Sequence, residues 1–187
     1  ALRGHSADWG LQAKYEGQGV HSDETVFLRA HTGRYVEVRG EQGSVATADQ
    51  AGGEGGERQA LNIYKEGGAT AEILSGDVIY FQARTGYFLY VPPESSGGAL
   101  GASRIGQQEG HGMDLRIIRK FAVAADQAIS TGDTVLLRAG NRLVCLPSGD
   151  AQAALALEEA TRSRLLGDRE CEFVISTEVQ SSTTSSK

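Results

Sequence analysis

The side chains that most often do chemistry are few in this sequence and form no recognisable cluster. The four histidines are His5, His21, His31 and His111, and none has metal-ligand spacing to another histidine or to a cysteine. His31 falls in a tight turn, where we expect it to pack against or hydrogen-bond its own turn. No nucleophile lies beside an evident base, and the glycine-rich runs 51–57 and 95–103 lack the lysine of a phosphate-binding loop. The sequence therefore predicts no catalytic residues, no metal and no cofactor.

Basic side chains are the most promising binding feature. They fall in two short stretches, with Arg29, His31, Arg34 and Arg39 in the first and Arg138 and Arg142 in the second. On a chain of formal net charge −6, such local positive patches suit docking against an acidic surface of a protein partner. Arg29 and Arg138 hold equivalent places in an internal repeat, so part of this pattern belongs to the solvated face of the fold.

The strands and turns that carry these side chains repeat three times along the chain. The matching stretches are VFLRAHTGRYVEV (26–38), IYFQARTGYFLYV (79–91) and VLLRAGNRLVCL (135–146). Each has an apolar strand, an alanine, a tight turn containing glycine, and a second apolar strand. In the first strands Leu28, Phe81 and Leu137 lie on one face because strand side chains alternate, so we expect them to be buried equivalents.

The match extends on both sides of these stretches. Upstream, Val20, Ile73 and Ile129 are equivalent, and downstream a third strand and a fourth follow in each copy. In the fourth strand the alignment places Ile63, Ile117 and Phe173 together. Four strands per copy give about twelve short strands. This number predicts a β-trefoil, an all-β fold of three pseudo-symmetric repeats that share one core.

Three carboxylates, Glu24, Asp77 and Asp133, precede the first strand of each copy. Symmetry separates them around the barrel, so they are unsuited to joint acid–base chemistry. We expect each to accept hydrogen bonds from backbone N–H groups of its own turn.

The two cysteines are predicted to be free thiols. In the repeat alignment Cys145 takes an outward position, whereas Cys171 aligns with the core residues Leu61 and Leu115. Side chains on opposite faces of a strand layer pair poorly in a disulfide. Free thiols favour a reducing compartment, so we expect a cytoplasmic or cytoskeletal protein. Because the chain starts at Ala1 and not at Met, an organellar or processed chain is the alternative.

Composition and length limit the remaining classes. A chain of 187 residues is long enough for one domain with its own core. We divide it into an N-terminal extension (1–19), one β-trefoil domain (20–176, with repeats at about 20–66, 73–120 and 129–176) and a Ser/Thr-rich tail or linker (177–187). The loop at 159–169 has the composition of a helical turn. No apolar run is long enough to span a bilayer, and a pI near 5.2 argues against nucleic-acid binding.

The first repeat resembles the signature of fascin-like β-trefoils. The matching residues are Arg29, His31, Gly33, Arg34 and Tyr35. The second copy keeps Ala83, Gly86 and Phe88 but has Gln82, Arg84 and Tyr87, and the third keeps Arg138 and Arg142 but has Leu143 in place of the tyrosine. The resemblance covers about 20–176 and implies a non-enzymatic protein-binding module, with actin filaments as the family's best-known partner.

Two other functions stay open. A structural subunit of a larger, multisubunit assembly would explain a trefoil without a ligand motif. A carbohydrate-binding trefoil would need exposed aromatic rings, for which Tyr87 and Tyr90 are the candidates, since the single tryptophan, Trp9, lies outside the repeats. Our hypothesis is a single fascin-like β-trefoil that binds a protein such as actin.

Overall fold

The computed structural model describes residues 17–39, 44–48, 56–68, 70–92, 98–104, 115–121, 124, 126–147, 154–161 and 168–177. The greater part of the expected N-terminal extension (1–19), the tail from residue 178 and the centre of the 159–169 loop lie outside these ranges. The described residues are all-β in character, as the sequence predicts. Their elements are β1 (Glu24–Ala30), β2 (Tyr35–Arg39), β3 (Ser44–Ala48), α1 (Gly56–Gln59), β4 (Leu61–Lys65), β5 (Val78–Ala83), β6 (Phe88–Tyr90), β7 (Gly101–Ser103), β8 (Leu115–Arg119), β9 (Thr134–Ala139), β10 (Arg142–Cys145), β11 (Ala156–Glu159), a single 3-10 turn (Arg169–Cys171) and β12 (Phe173–Ser176).

Six of the strands close into an antiparallel barrel. The circuit runs β1–β4–β5–β8–β9–β12 and returns to β1. Closure gives each barrel strand a partner on both sides, so the barrel has no open edge. The other six strands form the pairs β2–β3, β6–β7 and β10–β11, and each pair is joined to the barrel through β1, β5 or β9.

Each barrel strand turns its alternate side chains into one shared core. Leu28 and Phe81 are fully buried there and Leu137 is nearly so, which confirms the expected burial of these equivalent positions. In the same core, three backbone hydrogen bonds form a ring: Val20 N donates to Ile129 O, Ile129 N to Ile73 O, and Ile73 N to Val20 O, each at 2.8 Å. The ring joins three segments far apart in sequence, and it satisfies their buried backbone groups.

The hairpin turns that follow β1, β5 and β9 have the predicted left-handed glycines. Gly33 and Gly86 both have φ of +83°, and Gly140 has φ of +57°. This backbone conformation costs an L side chain about 1–2 kcal/mol, which is why glycine stands in all three turns.

In the fourth strand of the third repeat, the residue equivalent to Ile63 and Ile117 comes two positions later in the sequence than predicted. The backbone N–H groups of Asp23, Gly76 and Gly132 donate to the carbonyls of Ile63, Ile117 and Ile175 respectively. Ile175, and not Phe173, is therefore the equivalent of Ile63 and Ile117. A shift of two residues keeps the same side chains facing inward, so the alternating pattern alone does not distinguish the two alignments.

The prediction of free thiols is wrong, because Cys145 and Cys171 form a disulfide. Cys171 belongs to the 3-10 turn before β12 and not to the strand, so its side chain does not follow the inward alternation of Phe173 and Ile175. Both cysteines are buried on the outer side of the barrel, where they pack with Leu136 and Leu143. The disulfide removes the argument from free thiols for a reducing compartment.

Candidate binding surface

The three repeat carboxylates are held by their own turns, as predicted. Oδ2 of Asp77 accepts from Leu74 N at 2.7 Å, and Oδ2 of Asp133 accepts from Ser130 N at 2.7 Å. Oε2 of Glu24 accepts from His21 N at 3.0 Å in the same way. Each bond spans three residues and closes the turn before a first strand, so these carboxylates fix the entry of the strand into the barrel.

Two of these carboxylates also form an ion pair with a basic side chain on the fourth strand of the preceding repeat. Nζ of Lys65 lies 2.8 Å from Asp77 Oδ2, and an Nη atom of Arg119 lies 2.9 Å from Asp133 Oδ1. These pairs link β4 and β8 to the turns before β5 and β9. The two carboxylates are thus committed to backbone and ion-pair contacts. Within the described residues, no three His, Cys, Asp or Glu side chains are grouped to hold a metal ion.

In the first hairpin Arg39 lies apart from the other predicted basic residues. Arg29 lies on the outward face of β1, opposite Tyr35 of β2 and Val174 of β12. His31 is exposed in the turn, and Arg34 is half-buried just before β2. Five residues of extended chain separate Arg34 from Arg39, which corresponds to about 17 Å.

Arg39 is occupied within the hairpin. Its Nε donates to the buried carboxylate of Glu37, and its Nη2 donates to Thr47 O at 3.3 Å. A buried carboxylate that loses its cation is destabilising. We therefore expect a substitution of Arg39 to lower stability, which makes it a poor probe of docking.

The third hairpin holds Arg138 and Arg142 by backbone carbonyls. Arg138 Nε donates to Gly140 O at 2.7 Å, and Arg142 Nη2 donates to Pro92 O at 2.9 Å. β12 separates β9 from β1, and Arg138 lies four residues along β9 from the level of Arg29. Strand spacing and rise place their Cα atoms about 16 Å apart. Arg29 and Arg138 therefore lie on one side of the barrel without touching.

The structure adds Arg116 to the predicted basic residues. Arg116 lies on β8 directly opposite Arg138 of β9. The two arginines, with Val78 and Gly140, line an open cleft of about 370 Å³ on the outer barrel face. The alternation of buried and exposed residues in β8 marks Arg116 as outward-facing, but nothing in the sequence pairs it with Arg138.

The candidate sugar-stacking residues are both half-buried. The guanidinium of Arg104 lies over the Tyr87 ring, 4.7 Å from its centroid, and the ring also packs against the core. One face of Tyr87 is therefore already covered by a cation. Tyr90 lies at the end of β6, opposite Gly101 of β7.

Neither a protein-family model nor a curated protein matches the sequence. Solved structures do match the fold. One is a Caenorhabditis elegans protein described as of unknown function (TM-score 0.64, 13% identity, covering 87% of this chain and 98% of the other). Another is the SDF2-like protein from Arabidopsis thaliana (TM-score 0.59, 13% identity, covering 84% and 94%). A mosquitocidal holotoxin matches with TM-score 0.61 and 12% identity over 85% of this chain, which is 18% of the toxin. At these identities the likeness concerns the fold alone.

Among the helices in the described ranges, none is long and apolar enough to cross a membrane.

Proposed function

We propose that this chain is a β-trefoil of three pseudo-symmetric repeats and acts as a non-catalytic module that binds an acidic surface of another protein. The trefoil interpretation is supported by the ring of hydrogen bonds through Val20, Ile73 and Ile129, and by the recurrence of the same hairpin connection in each third of the chain. The carboxylates that recur with the repeats serve the turns, which leaves the basic residues as the functional feature.

The observation that carries the proposal is that no described carboxylate neutralises the guanidinium of Arg29. Several other cations, namely Arg39, Lys65, Arg84, Arg119 and Lys120, each have a carboxylate within ion-pair distance. Arg29 has no such partner among the residues that the structure describes, and it lies on the outward face of a barrel strand. An outward guanidinium that the protein does not neutralise is available to a partner's carboxylates.

Actin filaments are the first partner to test, because of the resemblance of the first repeat to fascin-like trefoils. We expect the chain to cosediment with filaments, and we expect the double variant R29E/R34E to bind at least about 10-fold more weakly, since two reversed charges oppose an acidic surface. The matched control is R84E, which reverses an exposed arginine that pairs with Glu57 on another hairpin.

Thermal melts separate docking from folding. R29E/R34E should melt within a few degrees of the wild-type protein, because both arginines are partly exposed and lie outside the core, where a change of charge contributes little to stability. Absence of cosedimentation by the wild-type chain rejects actin as the partner. Equal weakening by R29E/R34E and R84E would show a general charge effect and reject the first hairpin as the docking surface.

The carbohydrate alternative is less well supported. A sugar needs an open aromatic face, and the Tyr87 ring already has Arg104 against it. The scaffold alternative shares the protein-binding chemistry proposed here and differs only in the permanence of the complex.

A further inference from the structure

The outer face of the β8–β9 pair contains two like charges side by side. Arg116 and Arg138 are directly opposite each other in the antiparallel register. Their neighbours Leu115, Ile117, Leu137 and Ala139 belong to the core, so both arginines point away from it. Opposite residues in such a pair have Cβ atoms about 5 Å apart, and like charges at that spacing are destabilising.

Neither arginine has a carboxylate partner among the described residues. Both instead donate to main-chain carbonyls: Arg116 Nη1 to Gly76 O, and Arg138 Nε to Gly140 O at 2.7 Å. These bonds fix the two planar groups at the cleft while leaving other N–H donors of each guanidinium unused. Neutral carbonyls orient the charges and do not cancel them.

The equivalent places in the other repeats are built differently. Between β4 and β5 the opposed residues are Asn62 and Gln82, whose oxygens accept from Thr25 Oγ1 at 2.9 Å and from Tyr64 Oη at 3.2 Å. Between β12 and β1 the opposed residues are Val174 and Arg29. Only the β8–β9 pair, of these three, places two cations together, so the charge pair is not a requirement of the fold.

We propose that the cleft between β8 and β9 binds a doubly charged tetrahedral oxyanion, either inorganic phosphate or the phosphate group of a phosphomonoester. A phosphate dianion has enough oxygens to accept from both guanidinium groups, and its charge matches theirs. A single carboxylate satisfies one arginine and leaves the other uncompensated. The cleft, at about 370 Å³, lies within the range of small-ligand sites and has room for an organic group attached to the phosphate.

The test is calorimetric titration with sodium phosphate, against sodium chloride at equal ionic strength. We expect saturable binding to the wild-type protein, at least about 10-fold weaker binding to R116Q and to R138Q, and none to the double variant. The matched control is R84Q, which replaces an exposed arginine outside the cleft. It should bind phosphate as tightly as the wild-type protein does. No phosphate-specific binding, or the same binding by R116Q/R138Q, overturns the proposal.

Melting temperatures give a second measurement that a purely structural role does not explain. Without phosphate, R116Q should melt at the same temperature as the wild-type protein or higher, because it relieves repulsion. Phosphate should raise the melting temperatures of the wild-type protein and of R84Q, and should leave that of R116Q/R138Q unchanged. A third variant, V78E, places a carboxylate opposite Arg116 and should abolish phosphate binding while keeping both arginines. Undiminished phosphate binding by V78E would contradict the assignment.

Titration with phosphoserine distinguishes the two sources of the group. Tighter binding of phosphoserine than of inorganic phosphate assigns the cleft to a phosphomonoester, and the reverse assigns it to the free ion. This site is independent of the first hairpin, so a failure here leaves the actin test of R29E/R34E unaffected.

Discussion

The inner and outer faces of the same barrel strands differ in how closely the repeats agree. Inside, equivalent positions carry buried apolar side chains, such as Leu28, Phe81 and Leu137. Outside, each repeat has its own cluster. These clusters are Phe27, Tyr35 and Ala60 in the first repeat, Tyr80 and Phe88 of the second repeat with Tyr64 of the first, and Leu136, Leu143, Cys145 and Cys171 in the third.

The difference follows from what each face must satisfy. The three repeats share one interior, so a change in volume in one repeat affects the packing of the other two. The outer clusters are separate from the shared core and from one another. They are therefore free to differ in chemistry, from an aromatic stack to a disulfide. We expect the binding residues on the outer face, because substitutions there do not disturb the packing of the shared core.

The largest effect should come from Phe81, measured against its neighbour Tyr80 on the opposite face of β5. We expect F81A to lower the free energy of unfolding by about 3–5 kcal/mol, because it leaves a cavity in the shared core. Y80A removes a ring that is half-buried and stacked on Tyr64 with a centroid distance of 5.3 Å, and should cost about 1–2 kcal/mol. Denaturant unfolding measures both. Equal losses would break the distinction between the two faces.

The outer cluster of the third repeat is the exception, because it is covalently closed. The Cys145–Cys171 disulfide spans 26 residues. Loop-closure entropy assigns such a bond about 3.5 kcal/mol. We expect reductant to lower the melting temperature of the wild-type protein, and we expect the C145A/C171A variant to melt at the lower temperature whether or not reductant is present. A wild-type melt that reductant does not move would show that the outer disulfide contributes nothing to stability.

The smallest effect should come from copying the β8–β9 charge pair onto the equivalent β4–β5 positions. The variant N62R/Q82R exchanges two neutral amides for opposed arginines on the same face. The penalty for like charges opposite each other is about 0.2–1 kcal/mol, so the protein should fold and melt slightly lower. If opposed arginines suffice for binding, phosphate should raise the melting temperature of this variant by more than that of the wild-type protein, since the β8–β9 pair is present in both. A large loss of stability would show that the outer face is as constrained as the core.

Much of the barrel was predictable because its signals are local. Alternation identified the buried face of β1, β5 and β9, and the glycines identified the turns. The roles of Asp77 and Asp133 were also predictable, since a carboxylate before a strand has backbone N–H groups within reach. The placement of Cys171 was not predictable, because it depends on where the chain leaves the 3-10 turn and enters β12.

The candidate site shows the same division. The outward position of Arg116 follows from its place between Leu115 and Ile117 in β8. Its partner, Arg138, lies 22 positions later, and only the β8–β9 pairing places the two side by side.

Alternation is a property of each strand alone, so the amino-acid sequence is enough to assign the strand side chains that face the core. The pairing of strands and their register, and hence the position of β12, the disulfide and the opposed arginines, depend on contacts between distant parts of the chain. Sliding a strand by two residues leaves its inward side chains inward, so alternation cannot select the register. The correct register is selected only when hydrogen bonds and packing are satisfied around the whole closed barrel.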